Sequence, residues 1–338
     1  RLAESHAGSV AGDTLVAIAL AGTLFFQVPT AEARENVALY LLITLAPFAV
    51  IGPFLGRVYE RYPSAYRGGL VVSSVGRAVV CVVMAIWLDT FLLFPFAFLL
   101  LVLSRFHGIS RSSLLPVVLE SRRDLVSANA QLARIGVVAA AVIVPIGAFG
   151  VWQFGPWFAL LLAAITFMGS ALAATRLPAI DLAAMAHAAE VDEQGQERLL
   201  ITPRSVRLAR FATAGVRFLN GFLLLIVAFA FRTEDAGILD FSAFLAAGGL
   251  GYYAAAFFTP VLDRHLSEEP MVVVGLAVEA GAAFVAAQVF GLPAAAALAA
   301  AAGFAWGTAK FGFDGLLQSS VPASIRGRAF TNSETFFQ

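Results

Sequence analysis

Long apolar runs, each close to the length of a bilayer crossing, alternate along the chain with short polar turns. A spanning helix needs roughly 20 mostly apolar residues, and the period-two alternation of a transmembrane strand is absent. Ten runs qualify: 7–28, 37–58, 69–88, 92–113, 126–151, 154–177, 206–231, 241–262, 271–290 and 293–317. An eleventh begins near Ala329 and is cut at Gln338. Pro47, Pro53, Pro95, Pro145 and Pro260 fall inside runs, which membrane helices tolerate when neighbours satisfy the freed backbone groups. The pattern predicts an all-α polytopic membrane protein.

Composition narrows the reading. Of 338 residues, 60% are hydrophobic and 13% charged, with mean hydropathy +0.84. Soluble domains run at about half apolar and a quarter charged. Lys+Arg and Asp+Glu are equal at 22 each, so no basic surface points to nucleic acid. One cysteine, Cys81, excludes a disulfide framework, and four scattered histidines lack metal-ligand spacing. No metal and no cofactor are expected. A GxxxxGK[ST] loop is absent, and no nucleophile–base constellation suggests an enzyme. The sequence starts without Met and ends inside an apolar run, which reads as a chain incomplete at both ends. The first apolar run is too long for a cleavable signal peptide.

Arginine placement sets the topology. One set of alternate loops carries Arg57, Arg61, Arg67, Arg111, Arg122, Arg123, Arg176, Arg198, Arg204, Arg207, Arg210, Arg264, Arg326 and Arg328; the other carries only Arg34 and Arg232. The positive-inside rule then puts the N-terminus in the cytoplasm of a multi-pass protein of the cell membrane, bacterial in character. The polar stretch 179–204 follows six runs and reads as a cytoplasmic linker. It separates an N-terminal six-helix half, 1–178, from a C-terminal half, 205–338, with four helices and the start of a fifth. The halves echo each other. Glu60-Arg61 follows the second run as Asp263-Arg264 follows the eighth, and SSLLP at 112–116 matches SSVP at 319–322. Paired helical halves are a transporter architecture with a substrate site near mid-membrane.

On these residues the chain resembles the major facilitator superfamily over essentially its whole length. The family's loop after the second helix, G-x-L-a-D-R-x-G-R-[RK], is met by Gly56, Val58, Glu60, Arg61 and, after a short insertion, Arg67, with Glu in place of Asp. Its fourth-helix Arg followed by Gly is met by Arg105 and Gly108. PVVLESRRDLVSANAQLARIG is similar to the fourth-to-fifth connection of drug and siderophore exporters, whereas the exporters' fifth-helix motif survives only as VPIGAFG at 144–150. The resemblance implies two six-helix halves, of which about ten helices and the start of an eleventh are present.

A charge in the bilayer core costs about 2.5 kcal/mol or more, so intramembrane ionisable residues are functional candidates. Asp13, Arg105, Arg217, Lys310 and Asp314 lie in the first, fourth, seventh and tenth runs, which line the cavity in the resembling family. Asp13 is a candidate proton carrier, exchanging between an ion pair with Arg105 and a protonated state; a hydrated helix-start residue is the bland alternative. Arg105 matches a position linked to proton transfer, and Glu279, central in the ninth run, is either a second protonation site or a packed carboxyl. Arg217 and Asn220 share a helix face and suit a polar or anionic substrate group, or a gate-closing pair. Lys310 and Asp314, four apart, suit mutual neutralisation. Glu60, Arg61, Arg67, Arg77, Asp263 and Arg264 read as parts of a cytoplasmic gate. The expected partners are a small-molecule substrate, protons and the lipid bilayer. The reading is a secondary active transporter that exports small amphipathic molecules against protons. Two alternatives stay open: a uniporter or importer of a polar or anionic metabolite, and a non-transporting accessory subunit of a membrane complex.

Overall fold

A computed structural model describes residues 1–20, 66–88, 90, 92–119, 125–177, 204–233, 238–266, 268–289, 291–321 and 323–337. Among the described residues no strand forms, and ten helices follow in order. They are α1 (Leu2–Leu20), α2 (Tyr66–Ile86), α3 (Leu93–Val118), α4 (Leu125–Phe154), α5 (Pro156–Thr175), α6 (Arg204–Thr233), α7 (Ile238–Leu262), α8 (Glu268–Gln288), α9 (Leu292–Ser320) and α10 (Ala323–Phe336). The second apolar run, 37–58, and nearly all of the polar stretch 179–204 lie outside the described residues.

Among the described residues, seven helices (α2 to α5 and α7 to α9) contain segments long and apolar enough to cross a bilayer. The chain is therefore a multi-pass membrane protein. The described part of α1 carries Glu4, His6 and Asp13, which keep it out of that group. α6 carries Arg204, Arg207 and Arg210 in its first two turns and, beyond them, a longer apolar stretch that includes Arg217. Large apolar side chains lie bare along single faces, as at Val138, Val142, Ile146 and Phe149 on α4. In water such a face would be a liability; against acyl chains it is the expected lipid surface.

Local sequence marks the helix edges. Gly155 separates α4 from α5 with φ +96, a left-handed conformation that side chains disfavour, and Pro156 then opens α5. Gly291 and Pro293 open α9 in the same order of residue types. The final helix begins at Ala323, six residues ahead of the expected Ala329, because the polar Ser324 to Arg328 segment winds into the helix although it adds no apolar run. Pro116, Pro145 and Pro260 sit inside α3, α4 and α7.

The chain divides into two compact units. The first holds Arg1–Val118, Ile135–Gly195 and Pro322–Thr335; the second holds Leu119–Arg134, Gln196–Val321 and Phe336–Gln338. In the first, α1 and α2 both pack on α5, and α3 packs on α2. Leu15, Ala19, Met84, Leu100, Leu160, Ala163 and Phe167 make its apolar core. In the second, α9 is the central helix, packed against α6, α7 and α8.

Helix association in lipid depends on close packing of small residues, since acyl chains are as apolar as leucine. The α7–α9 contact shows this. A Cβ on Gly251 would strike the Ala300 carbonyl, and one on Gly303 would strike the Gly248 carbonyl. Gly303→Leu is expected to destabilise the protein by about 1–3 kcal/mol, the usual cost of overpacking. Gly249→Ala, facing open space, serves as the tolerated control, and thermal unfolding in detergent measures both.

Candidate functional site

Polar residues recur at helical spacing inside the first unit. On α1 they are Ser5, Ser9 and Asp13, each four apart and so on one face. On α2 they are Ser73, Ser74 and Arg77; on α3, Ser104, His107 and Arg111. These stripes meet in the core of the unit.

Arg77 has no exposed surface. Its Nη1 donates to Asp13 Oδ1 (3.1 Å), to Asp13 Oδ2 (3.2 Å) and to Ser9 Oγ (3.0 Å). Its Nε donates to the Ser73 carbonyl at 3.3 Å, and Cζ lies 4.3 Å from the Phe167 ring centroid. Ser104 Oγ donates to Asp13 Oδ2 at 3.1 Å. Four helices thus contribute to one charge pair: α1 the anion, α2 the cation, α3 a hydroxyl and α5 an aromatic face. The pair is asymmetric, because the Asp13 side chain is 35% exposed while that of Arg77 is closed.

That asymmetry has a chemical consequence. Removing one partner of a buried ion pair strands the other and costs about 3–5 kcal/mol. Protonating Asp13 would remove the counter-charge of Arg77 in the same way.

The sequence points Asp13 to Arg105, but its direct ion pair is with Arg77. Ser104, the residue before Arg105, takes the position against the carboxylate. Arg77, expected in the gate, belongs to the core pair. Of the other gate residues, Glu60 and Arg61 lie outside the described residues. Arg67 Nη2 donates to the Thr175 carbonyl at 2.5 Å, satisfying the C-terminus of α5. Asp263 and the exposed Arg264 occupy the turn after α7. Ser9, Ser104, His107 and Phe167 join the site without a motif that marks them. Their one signal in the sequence is the one-face serine spacing around Asp13 and Arg77.

The second unit gathers another set. Lys310 Nζ donates to Asp314 Oδ1, one turn further along α9, at 2.6 Å, with the side chains 17% and 5% exposed. Lys310 Nζ also lies 5.8 Å from the Phe337 ring centroid, and Phe337 meets Trp306 edge-on at 6.4 Å. Arg217, exposed on α6, places Cζ 5.0 Å from the Trp306 ring centroid. One turn along, Asn220 Nδ2 donates to the Ala302 carbonyl at 3.2 Å. Glu279 on α8 is buried, and neither carboxyl oxygen has a hydrogen-bond partner among the described residues.

No protein-family model matches the chain. The uncharacterized protein ML2143 of Mycobacterium leprae is 29% identical over 96% of this chain and 62% of its own length. The uncharacterized protein MT0899 of Mycobacterium tuberculosis is 37% identical over 37% of this chain and 24% of its own length. The chain thus spans less than two thirds of these curated relatives. Among solved structures, the major facilitator superfamily proton:xylose symporter XylE aligns with TM-score 0.73 at 12% identity, over 99% of this chain and 84% of that one. A bacterial homologue of the iron transporter ferroportin, outward-facing, aligns with TM-score 0.68 at 16% identity, covering 99% and 88%. The transporter FucP, in the outward conformation, aligns with TM-score 0.64 at 12% identity, covering 99% and 96%. The fold is that of major facilitator superfamily transporters.

A double-mutant cycle checks the charge pair. Asp13→Ala alone is expected to destabilise by about 3–5 kcal/mol, because it leaves Arg77 buried and unmatched. Asp13→Ala with Arg77→Met should recover most of that loss in thermal unfolding.

Proposed function

We propose that the chain forms the core of a secondary active transporter working by alternating access, in which proton movement at Asp13 drives export of small amphipathic molecules. The observation that carries the reading is the closed Arg77 guanidinium held by a carboxylate that is one-third open. Coupling needs a group whose protonation changes the stability of a conformation. Asp13 meets this need, because its charge is what makes the buried position of Arg77 tolerable. Arg105 is the second cation that takes part as Asp13 changes state. A proton:xylose symporter of the same fold supports proton coupling as a use of this architecture. The halves 1–178 and 205–338, with the Arg-rich loops in the cytoplasm, are the bodies that exchange access.

A second reading has its own observation. Arg217 lies exposed over Trp306, one turn from Asn220. A cation on an aromatic shelf suits an anionic or polar metabolite, which favours a uniporter or importer.

The test uses the full-length protein in proteoliposomes containing a pH dye, challenged with pooled amphipathic compounds and metabolites. Substrate-dependent proton movement is expected in the wild type and should fall to the level of empty liposomes in Asp13→Asn, with labelled-substrate exchange retained. Equilibration of labelled substrate with no pH signal in the wild type would overturn proton coupling. In that case Arg217→Gln should abolish uptake; under the exporter reading it should leave proton-linked transport within about threefold, as expected for a partner outside the coupling step.

A further inference from the structure

We propose that a file of buried polar side chains inside the first unit, centred on His107, conducts protons between the N-terminal end of α1 and Asp13. The proposal rests on the reading of Asp13 as the proton carrier and adds the route by which the proton arrives.

His107 on α3 is 3% exposed. Its Nδ1 lies 3.3 Å from Ser73 Oγ and 3.3 Å from Ser74 Oγ. Its Nε2 is buried without a hydrogen-bond partner among the described residues. An imidazole fixed by hydroxyls at one nitrogen and unsatisfied at the other costs stability unless the second nitrogen has a use. A ring can accept a proton at one nitrogen and release one from the other.

The file runs on from both sides of the ring. Towards the start of α1, Ser74 Oγ is 3.3 Å from Ser170 Oγ on α5. Ser170 Oγ is 3.1 Å from Ser5 Oγ and donates to the Ser5 carbonyl at 2.7 Å. Ser5, Ser73, Ser74 and Ser170 all have no exposed surface. Beside Ser5, the His6 ring accepts from Arg111 Nη1, 2.9 Å from Nδ1. Towards Asp13, Ser104 stands one turn before His107 on the same face of α3 and donates to the carboxylate. Side chains three apart on a helix have Cβ atoms about 5–6 Å apart, and in the proposed route one water bridges Ser104 Oγ and His107 Nε2.

Each step balances. A hydroxyl is donor and acceptor at once, so an arriving proton forms one O–H bond as the hydroxyl's own proton leaves for the next oxygen. At His107 an N–H bond forms at one nitrogen and breaks at the other, returning the ring as its second tautomer. At Asp13 the proton becomes the carboxylic O–H, and Arg77 loses its counter-charge. Release runs the same steps backwards.

The charged and titratable groups facing the ring come from three helices: His6 from α1, Arg77 from α2 and Arg111 from α3 itself. α5 contributes Ser170 and the Phe167 face beneath Arg77.

The experiment needs no substrate. Full-length protein in lipid vesicles is given a rapid pH jump, and the carboxylic C=O stretch of Asp13 is followed by infrared, assigned by difference from Asp13→Asn. His107→Gln should reach the wild-type amplitude about a hundredfold more slowly, the size of effect a positioned proton-transfer group contributes. Ser74→Ala and Ser170→Ala should also slow the approach while keeping its end point. A merely structural role would instead move the end point and leave the rate. Wild-type rates in His107→Gln, or in both serine variants should the histidine variant not fold, overturn the relay and leave Asp13 as carrier. A wild-type protein in which the Asp13 band never forms at any pH overturns the carrier reading and the relay together.

Discussion

A guanidinium with no exposed surface, set among apolar helices, is the constraint on which the first unit depends. Arg77 cannot shed its charge, and a charge in the bilayer core is costly without partners. The surrounding residues answer that demand at Nε, Nη1 and the guanidinium face with the Asp13 carboxylate, the Ser9 hydroxyl, the Ser73 carbonyl and the Phe167 ring, while Nη2 has no hydrogen-bond partner among the described residues. Meeting it requires α1, α2 and α5 to pack together at a fixed register. Gly12, one residue before Asp13, leaves room for the Phe167 ring, which a Cβ there would strike. The polar pair and the close packing are thus a single solution, since neither the ion pair nor the ring contact survives a shift of one helix along another.

The second unit handles polarity differently. Lys310 and Asp314 pair with each other one turn apart on a single helix. Cohesion there comes from glycine-lined contact between α7 and α9 and from aromatic rings around Phe337. Glu279 stands outside both devices, buried and without a donor among the described residues. Carried as a neutral acid it would cost little more than a buried amide; carried as an anion it would cost several kcal/mol, as burying an unpaired charge generally does.

How much of this was legible in the sequence depends on the range of the interaction. Apolar length alone marks the helices, because a bilayer imposes one length on every crossing. The Lys310–Asp314 contact follows from four-residue spacing, since a helix fixes that geometry by itself. The partner of Asp13 does not follow. Arg77 and Arg105 are both intramembrane cations on helices near α1, and spacing within either helix is silent on which one faces it. That choice is made where α1 and α2 converge on α5, with Ser104 turned towards the carboxylate and Arg105 a residue further round α3. His107 was hidden for the same reason. Its meaning lies in serines from two other helices, at 73, 74 and 170, which no local pattern joins to it.

The asymmetry of exposure within the Asp13–Arg77 pair also decides what the pair can do. In the proposed coupling the proton binds the more exposed member, whereas the energetic consequence falls on the closed one. Were both side chains buried and no relay led to the carboxylate, protonation would need the helices to part first, and the proton could not initiate the change. With both open, water would stabilise either charge alone, and protonation would have little mechanical effect. Lys310 and Asp314 approach the first of these limits, at 17% and 5% exposure on a single helix. The first unit occupies the intermediate case: the anion on α1 is one-third exposed, the cation on α2 is closed, and the proposed coupling follows from that difference.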